Sequence, residues 1–269
     1  METKCKSAIG KGFRFVDPWF WTKYSLNPYR GCEHACEYCD ARTHTYLIHD
    51  SPEDFSTIIF VKVNAPEVLA EELARLEKRK VRKGVIGVGG VTDAYQPAER
   101  KYRLTRQILE VINDYEWPFA LGTKSDLVLR DLDLISEISK KTWCYVAFTV
   151  TTLNEGLVKL LEPRAPPPRR RLRAMKKLSD AGVMTGVWMI PMVPYITDDE
   201  ENIEMVVEAS VENGADFVLG GGGMTFRDNQ KIRFTKLLQE HFPSLIPKYE
   251  ELYGGDTSPK RWYTAAVMK

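Results

Sequence analysis

The sequence predicts an α/β protein: an incomplete (β/α)6 barrel of TIM type with an N-terminal extension and a C-terminal lid segment. Three observations lead there. From Cys39 onward, short β-branched runs alternate with longer amphipathic ones, the pattern of parallel strands joined by crossover helices. The polar and glycine-rich clusters each follow a predicted strand, where parallel barrels carry their functional groups. The chain has 269 residues, 43% of them hydrophobic, enough for one large domain or one with a small appendage.

Strands are predicted at 24–27, 58–63, 85–88, 119–122, 144–150, 184–189 and 217–219, each a short run rich in Val, Ile, Phe, Tyr or Thr. Helical patterns lie between them at 66–80, 98–115, 132–140, 155–161, 170–181 and 200–213. Asn64 followed by Pro66 marks the entry to the first helix as a cap plus an early proline. On this division 1–23 is the extension, 24–219 the partial barrel and 220–269 a closing segment with a helix near 230–241. The aromatics Phe13, Phe15, Trp19, Phe20 and Trp21 are predicted to cover the other end of the barrel.

The densest chemical signal is Cys32-x-x-x-Cys36-x-x-Cys39, with Tyr38 just before the last cysteine. Thiolates at this spacing can hold three corners of a cubic [4Fe–4S] cluster and leave the fourth iron open. An open iron can bind the amino and carboxylate groups of S-adenosylmethionine (SAM) and pass an electron to its sulfonium, the cofactors carrying the hard chemistry. Zinc sites commonly want four ligands in two pairs, and five cysteines without a secretory signal do not read as a disulfide framework. An electron-transfer cluster would need a fourth cysteine, and Cys5 and Cys144 lack the usual spacing.

The segment Ser25-Leu-Asn-Pro-Tyr-Arg-Gly-Cys32-Glu-His-Ala-Cys36-Glu-Tyr-Cys39-Asp-Ala-Arg42 resembles the radical SAM superfamily. Within that superfamily it resembles the spore photoproduct lyase-like, or DNA repair photolyase-like, group, from about Ser25 to about Leu219. The resemblance implies that Gly89, Gly90 and Thr92 hold the methionyl amino group, with Asp93 as an acceptor for it. It places Lys124 near the methionine carboxylate with Ser125 alongside, and Thr149 against the ribose. Tyr38, in the aromatic position before the third cysteine, resembles the residue that packs near adenine, and the strand ending at Met189 supplies Val187 and Met189 as further adenine contacts. It also implies a one-electron reductant of flavodoxin or ferredoxin type. The lyase's hydrogen-returning cysteine would fall at Gly90, leaving Tyr95 or another group as donor. Strand alternation puts Ala147, Thr149 and Thr151 on one face and turns Cys144 toward the helices, as a structural residue.

Charge adds little. The 38 Lys+Arg against 37 Asp+Glu give a net charge of +1, so a nucleic-acid footprint would have to be local. Its candidate is a stripe of Arg169, Arg173 and Lys176 or Lys177 on one helix face. The longest nearly apolar stretch, 182–196, is too short to span a bilayer and contains Pro191 and Pro194. No membrane association is expected, and a cytoplasmic location is. The leading expectation is a radical SAM enzyme that abstracts hydrogen from an unassigned substrate. The alternatives are DNA-lesion repair of the photoproduct lyase type and a non-catalytic Fe–S or zinc protein.

Overall fold

In a computed structural model describing residues 1–10, 12, 16–17, 20–221, 223–260 and 263, the chain runs through β1 (Glu2–Thr3), β2 (Tyr24–Leu26), β3 (Tyr29–Arg30), β4 (Phe60–Lys62) and α1 (Ala65–Lys78). Next come β5 (Ile86–Val88), α2 (Glu99–Tyr102), α3 (Leu104–Asp114), β6 (Phe119–Thr123), α4 (Leu132–Lys141) and β7 (Cys144–Thr149). The remainder is α5 (Glu155–Leu161), α6 (Pro168–Asp180), β8 (Met184–Met189), α7 (Glu200–Glu212), β9 (Phe217–Gly220), α8 (Asp228–His241) and α9 (Ile246–Tyr253). Six strands form one sheet in the order β2-β5-β6-β7-β8-β9, every neighbouring pair parallel. Among the described residues no helix is long and apolar enough to cross a membrane.

Three local readings are corrected. The run at 58–63 is a strand, β4, but it belongs to a separate small sheet with β1 and β3. The helix expected over 98–115 breaks at Arg103, which adopts φ +52°. The buried Glu99 causes the break by accepting Thr105 N at 3.0 Å, which caps the free amides of α3. Asn64 precedes α1 but does not cap it, because its side chain pairs with the backbone of Cys5 at 2.8 and 3.0 Å.

Alternation along β7 decides what faces where. Cys144, Val146, Phe148 and Val150 pack with Ile135, Ile138, Met175 and Leu178 of the helices. Tyr145 and Ala147 lie on the opposite, inner face with Ala120, Trp188 and Phe217. That inner face is filled by aromatics, with Phe20 against Trp188 at 4.9 Å nearer the strands' C-terminal ends and Trp21 against Phe217 and Tyr145 at 5.5 and 5.7 Å at their N-terminal ends. Trp21 therefore covers the N-terminal end as expected, Phe20 packs further along the face, and Phe13, Phe15 and Trp19 lie outside the described residues.

Gly122 makes the plug possible, since a Cβ there would stand 1.9 Å from the Trp188 ring. Gly122→Ala should lower stability by about 1–3 kcal/mol through overpacking. Gly90→Ala, whose Cβ would meet nothing within 4 Å, should change it by less than about 0.5 kcal/mol. Urea unfolding under anaerobic conditions checks both.

Candidate active site

The loop that carries the cysteines leaves β3 through Gly31, at φ +84°, where a Cβ would stand 2.7 Å from Phe55 O. It then proceeds in turns: Ala35 N donates to Cys32 O, Cys39 N to Cys36 O and Arg42 N to Cys39 O, at 3.3, 3.4 and 3.3 Å. Arg42, 1% exposed, braces the loop from within by donating to the carbonyls of Cys36 and Pro52 and to Ser56 Oγ.

A second segment fastens this loop to the end of β5. Gly31 O accepts Thr92 Oγ1 at 2.6 Å and Gln96 Nε2 at 3.2 Å. Glu33 N donates to Gln96 Oε1 at 3.0 Å, and Glu33 Oε2 accepts Ala98 N at 2.6 Å. Tyr29 OH donates to Glu99, whose carboxylate also holds Arg130 at 2.6 Å. Asp93 completes the fastening with Oδ2 at 3.2 Å from His34 Nε2.

A third set of contacts joins the loop to β7. Tyr38 OH donates to Glu162, whose other oxygen pairs with Arg171. Arg171 also donates to Thr149 O at 2.8 Å and to Pro166 O at 2.7 Å. Glu162 and Arg171 are fully buried. Burial would raise the Glu162 carboxyl, but Arg171 and Lys124 outweigh it and hold the group below its ordinary range. The tail covers the loop from outside: Arg227 pairs with Asp40 at 2.8 Å, Gln230 Nε2 donates to Tyr38 O at 2.8 Å, and Arg233 pairs with Glu37 at 2.6 Å. Cys36 and Tyr38 share an apolar cluster with Phe226, Phe234, Tyr249 and Tyr253.

The donor set fits an iron–sulfur core. Burial pushes all three thiols up, Cys36 to about 12, and for Cys32 the neighbouring Asp93, Cys36 and Cys39 add to it. Thiolates gathered in such a place need a cationic core between them. Among the described residues no group of three or more His, Cys, Asp or Glu is arranged for a single metal ion. The thiols of a cubic cluster serve three different irons, a wider arrangement. His34 adds a second sign of a missing partner, being 2% exposed with neither buried ring nitrogen in a hydrogen bond among the described residues.

The predicted contact residues divide into two groups. Thr92, Asp93 and Ser125 spend their side chains on the chain itself. Thr92 bonds Gly31, and Ser125 Oγ caps the turn at Leu127 N. Asp93 accepts Thr123 Oγ1 and Tyr95 N through Oδ1 and Lys124 N through Oδ2. Burial opposes the Asp93 charge, but His34 and these donors hold its carboxyl at about 2. Gly89 takes φ +89° at the end of β5, and Gly90 faces open space. Among the described residues neither Lys124 Nζ nor Thr149 Oγ1 makes a hydrogen bond. Lys124 Nζ stands 5.5 Å from the Tyr38 ring centroid. Burial opposes its charge, yet Cys36 and Glu162 raise it above its ordinary range.

Val187 and Met189 are corrected. Both lie in the helix-facing core, so alternation turns them away from the inner face, and Trp188 between them faces inward instead. Cys144 is likewise in the helix-facing core as expected, with burial raising its thiol to about 12. Tyr95 is fully buried with its hydroxyl on Asp131 at 3.0 Å, which removes it as a donor to the inner face. The stripe on α6 is exposed: Arg169 lies 4.0 Å from Glu155 and Lys176 pairs with Asp180. Sequence reading missed His34, Gln96 and Arg171. Arg171 had a legible signal, because it falls on the helix face of Met175 and Leu178 and a buried arginine demands a buried acid.

Residues 26–207 match the family model described as the radical SAM superfamily. An uncharacterized protein of Mycobacterium tuberculosis is 34% identical over 253 residues, covering 94% of this chain and 73% of that protein. One of Methanocaldococcus jannaschii is 35% identical over 178 residues, 66% of this chain and 63% of its own length. Among solved structures, spore photoproduct lyase complexed with dinucleoside spore photoproduct aligns with a TM-score of 0.67 at 16% identity, over 90% of this chain and 66% of that one. A mutant of that lyase with bound AdoMet and the dinucleoside aligns at 0.62 and 17% identity, over 82% of this chain and 61% of that one. These two are likenesses of fold. The chain spans less than two thirds of the lyase chains it matches.

Removing one member of the buried pair leaves an uncompensated charge, so Glu162→Ala should cost about 3–5 kcal/mol. Replacing both partners, as Glu162→Leu with Arg171→Met, should recover part of that loss. Chemical denaturation of the single and double variants checks the order.

Proposed function

Because this chain belongs to the radical SAM superfamily, we propose that it is an enzyme that binds SAM at a [4Fe–4S] cluster held by Cys32, Cys36 and Cys39 and abstracts hydrogen from a substrate. The observation that carries this is a loop of three cysteines, Cys36 buried and Cys32 and Cys39 half-buried, fixed on several sides, beside a cation, Lys124, whose Nζ makes no hydrogen bond among the described residues. When bound, the cluster supplies the electron that cleaves the sulfonium to methionine and a 5′-deoxyadenosyl radical.

The chain's own residues bind and orient. Lys124 offers its ammonium to the methionine carboxylate as a compact charge. Gly89 and Gly90 let the backbone approach the amino end. Thr149 offers its hydroxyl to the ribose, and Tyr38 presents its ring near the adenine. The six-stranded sheet is read as a partial barrel over 24–219, with 220–269 as its closing segment. The reductant is a one-electron carrier of flavodoxin or ferredoxin type.

The fold likeness to spore photoproduct lyase favours a second reading, repair of a DNA lesion. On that reading the hydrogen is not returned by Cys144 or Tyr95, which are committed to the helix-facing core. Deuterium transfer into 5′-deoxyadenosine from labelled candidate substrates separates the two.

Anaerobic reconstitution with iron and sulfide should give a brown protein that forms equal amounts of methionine and 5′-deoxyadenosine with dithionite. Each of Cys32→Ala, Cys36→Ala and Cys39→Ala should lose both colour and cleavage. Wild-type material that binds only zinc, or leaves SAM uncut, overturns the reading.

A further inference from the structure

Helices α6 and α7 run side by side in the helix layer, opposite the inner face of the sheet. Their C-terminal ends meet at Ser179 and Gly214, where a Cβ on the glycine would stand 2.6 Å from Ser179 Oγ. Near their N-terminal ends both reach back to the end of β7. Arg171 donates to Thr149 O at 2.8 Å, and Asn202 Nδ2 donates to Thr151 O at 3.0 Å. Between the two helices lies an open groove of about 500 Å³, lined by Leu153, Leu172 and Ala209 with Arg169 and Arg173 on the α6 wall.

Opposite charges border this groove. On α6 the exposed Arg169, Arg173 and Lys177 recur every fourth residue and so form one row. On α7 the exposed Glu204, Glu208 and Glu212 continue from Glu200 at the same spacing. Like charges four apart on a helix repel, and α7 has no Lys or Arg to relieve them. Among the described residues these four glutamates form no ion pair, and neither do Arg173 and Lys177. Arg169 comes no closer to an acid than 4.0 Å, at Glu155. Apolar side chains stand among the glutamates: Val211 is 65% exposed, Met205 40% and Val207 36%.

An acidic row beside a basic one argues against a phosphate backbone as the occupant of α6. The glutamates lie within about one screening length, ~8 Å at physiological salt, of anything seated in the groove. The same arrangement is self-complementary, which is what a two-fold interface requires. A second copy turned about an axis parallel to the helices sets its α6 over α7 and its α7 over α6. Each basic row then meets an acidic one, and the exposed valines of α7 cover the apolar lining of the groove. We propose that the α6–α7 face is the interface of a two-fold homodimer, paired α6 to α7 across the axis. This goes beyond the proposed SAM-dependent reading and does not rest on it.

Charge reversal tests the pairing, because the two rows predict different behaviour alone and mixed. One variant carries Arg173→Glu with Lys177→Glu, the other Glu204→Lys with Glu208→Lys, and all four positions are exposed. Sedimentation equilibrium of the full chain, kept anaerobic, gives the association constant. Wild type should sediment at twice the chain mass, and added salt should weaken it. Each reversed variant sets like charges against like at both contacts and should dimerise at least about tenfold more weakly. An equimolar mixture of the two variants should recover the dimer, since every contact in the mixed pair again joins opposite signs. That recovery also shows that both variants are folded. Val211→Glu should weaken the wild-type dimer as well. The proposal is overturned if wild type is monomeric at about 100 μM, if the reversed variants dimerise as wild type does, or if their mixture stays monomeric. Monomeric wild type that binds duplex DNA, with binding lost in Arg173→Glu with Lys177→Glu, would assign the α6 row to phosphates instead.

Discussion

A cysteine loop without regular secondary structure must keep one shape, and the hydrogen bonds between 29–34 and 92–99 supply that constraint. Gly31, Glu33 and Tyr29 on one side meet Thr92, Gln96, Ala98 and Glu99 on the other, mostly below 3.1 Å where a distance is given. Net hydrogen bonds contribute only about 0.5–1.5 kcal/mol each. Their importance here is that those of Tyr29, Thr92 and Gln96 Nε2 are buried and those of Glu33 partly so, and slippage of the loop would strand several donors and acceptors at once. The glycine-rich end of β5 is thereby fixed against the thiols it must serve. Because Thr92 and Asp93 do this fastening, they are spent as ligand contacts.

Electrostatics constrains the same place. Glu162, Asp93, Glu99 and Asp131 are all buried, and burying carboxylates is costly unless cations and donors meet them. Arg171 meets Glu162, while Arg130 and Arg106 meet Glu99 and Asp131. The thiols have the opposite difficulty, with burial and neighbouring acids both opposing their charge. Lys124 and Arg171 relieve Cys36 and Arg42 relieves Cys39, but Cys32 faces Asp93. A positively charged iron core is the counterpart this distribution lacks.

Much of this was legible in the sequence because spacing and period carry it. The cysteine pattern, the strand–helix alternation and the outward turn of Cys144 follow from periodicity. Failures arose where a side chain's partner is remote. The acid that could read as a ligand for the amino group, Asp93, is an internal hub because Thr123 and the Lys124 amide reach it from β6 and just beyond. Arg171 hides in a basic run whose other members are exposed, and only its helical phase betrays it. Val187 and Met189 were placed at the adenine without applying the strand's parity, and the structure turns Trp188 between them inward, against Gly122. The break at Arg103 depends on Glu99 reaching forward to cap α3, a contact no local propensity records.

The sheet then shows where freedom remains. Its inner face is filled by Trp21, Tyr145 and Phe217 toward the N-terminal end and by Trp188, with Phe20 against it, toward the C-terminal end. The loop is pinned by 92–99, by Glu162 with Arg171, and by α8 and its approach through Asp40, Tyr38 and Glu37. Three of the predicted contact points carry no internal hydrogen bond among the described residues: the open space at Gly90, Lys124 Nζ and Thr149 Oγ1. They follow or end β5, β6 and β7, which are consecutive neighbours in the sheet. Parallel strands in register bring their C-terminal ends side by side, so a backbone opening, a cation and a hydroxyl line up across three strands beside the thiols. Structural demand uses up most of the other polar groups around the loop, His34 excepted, and these three groups form one row at the strand ends.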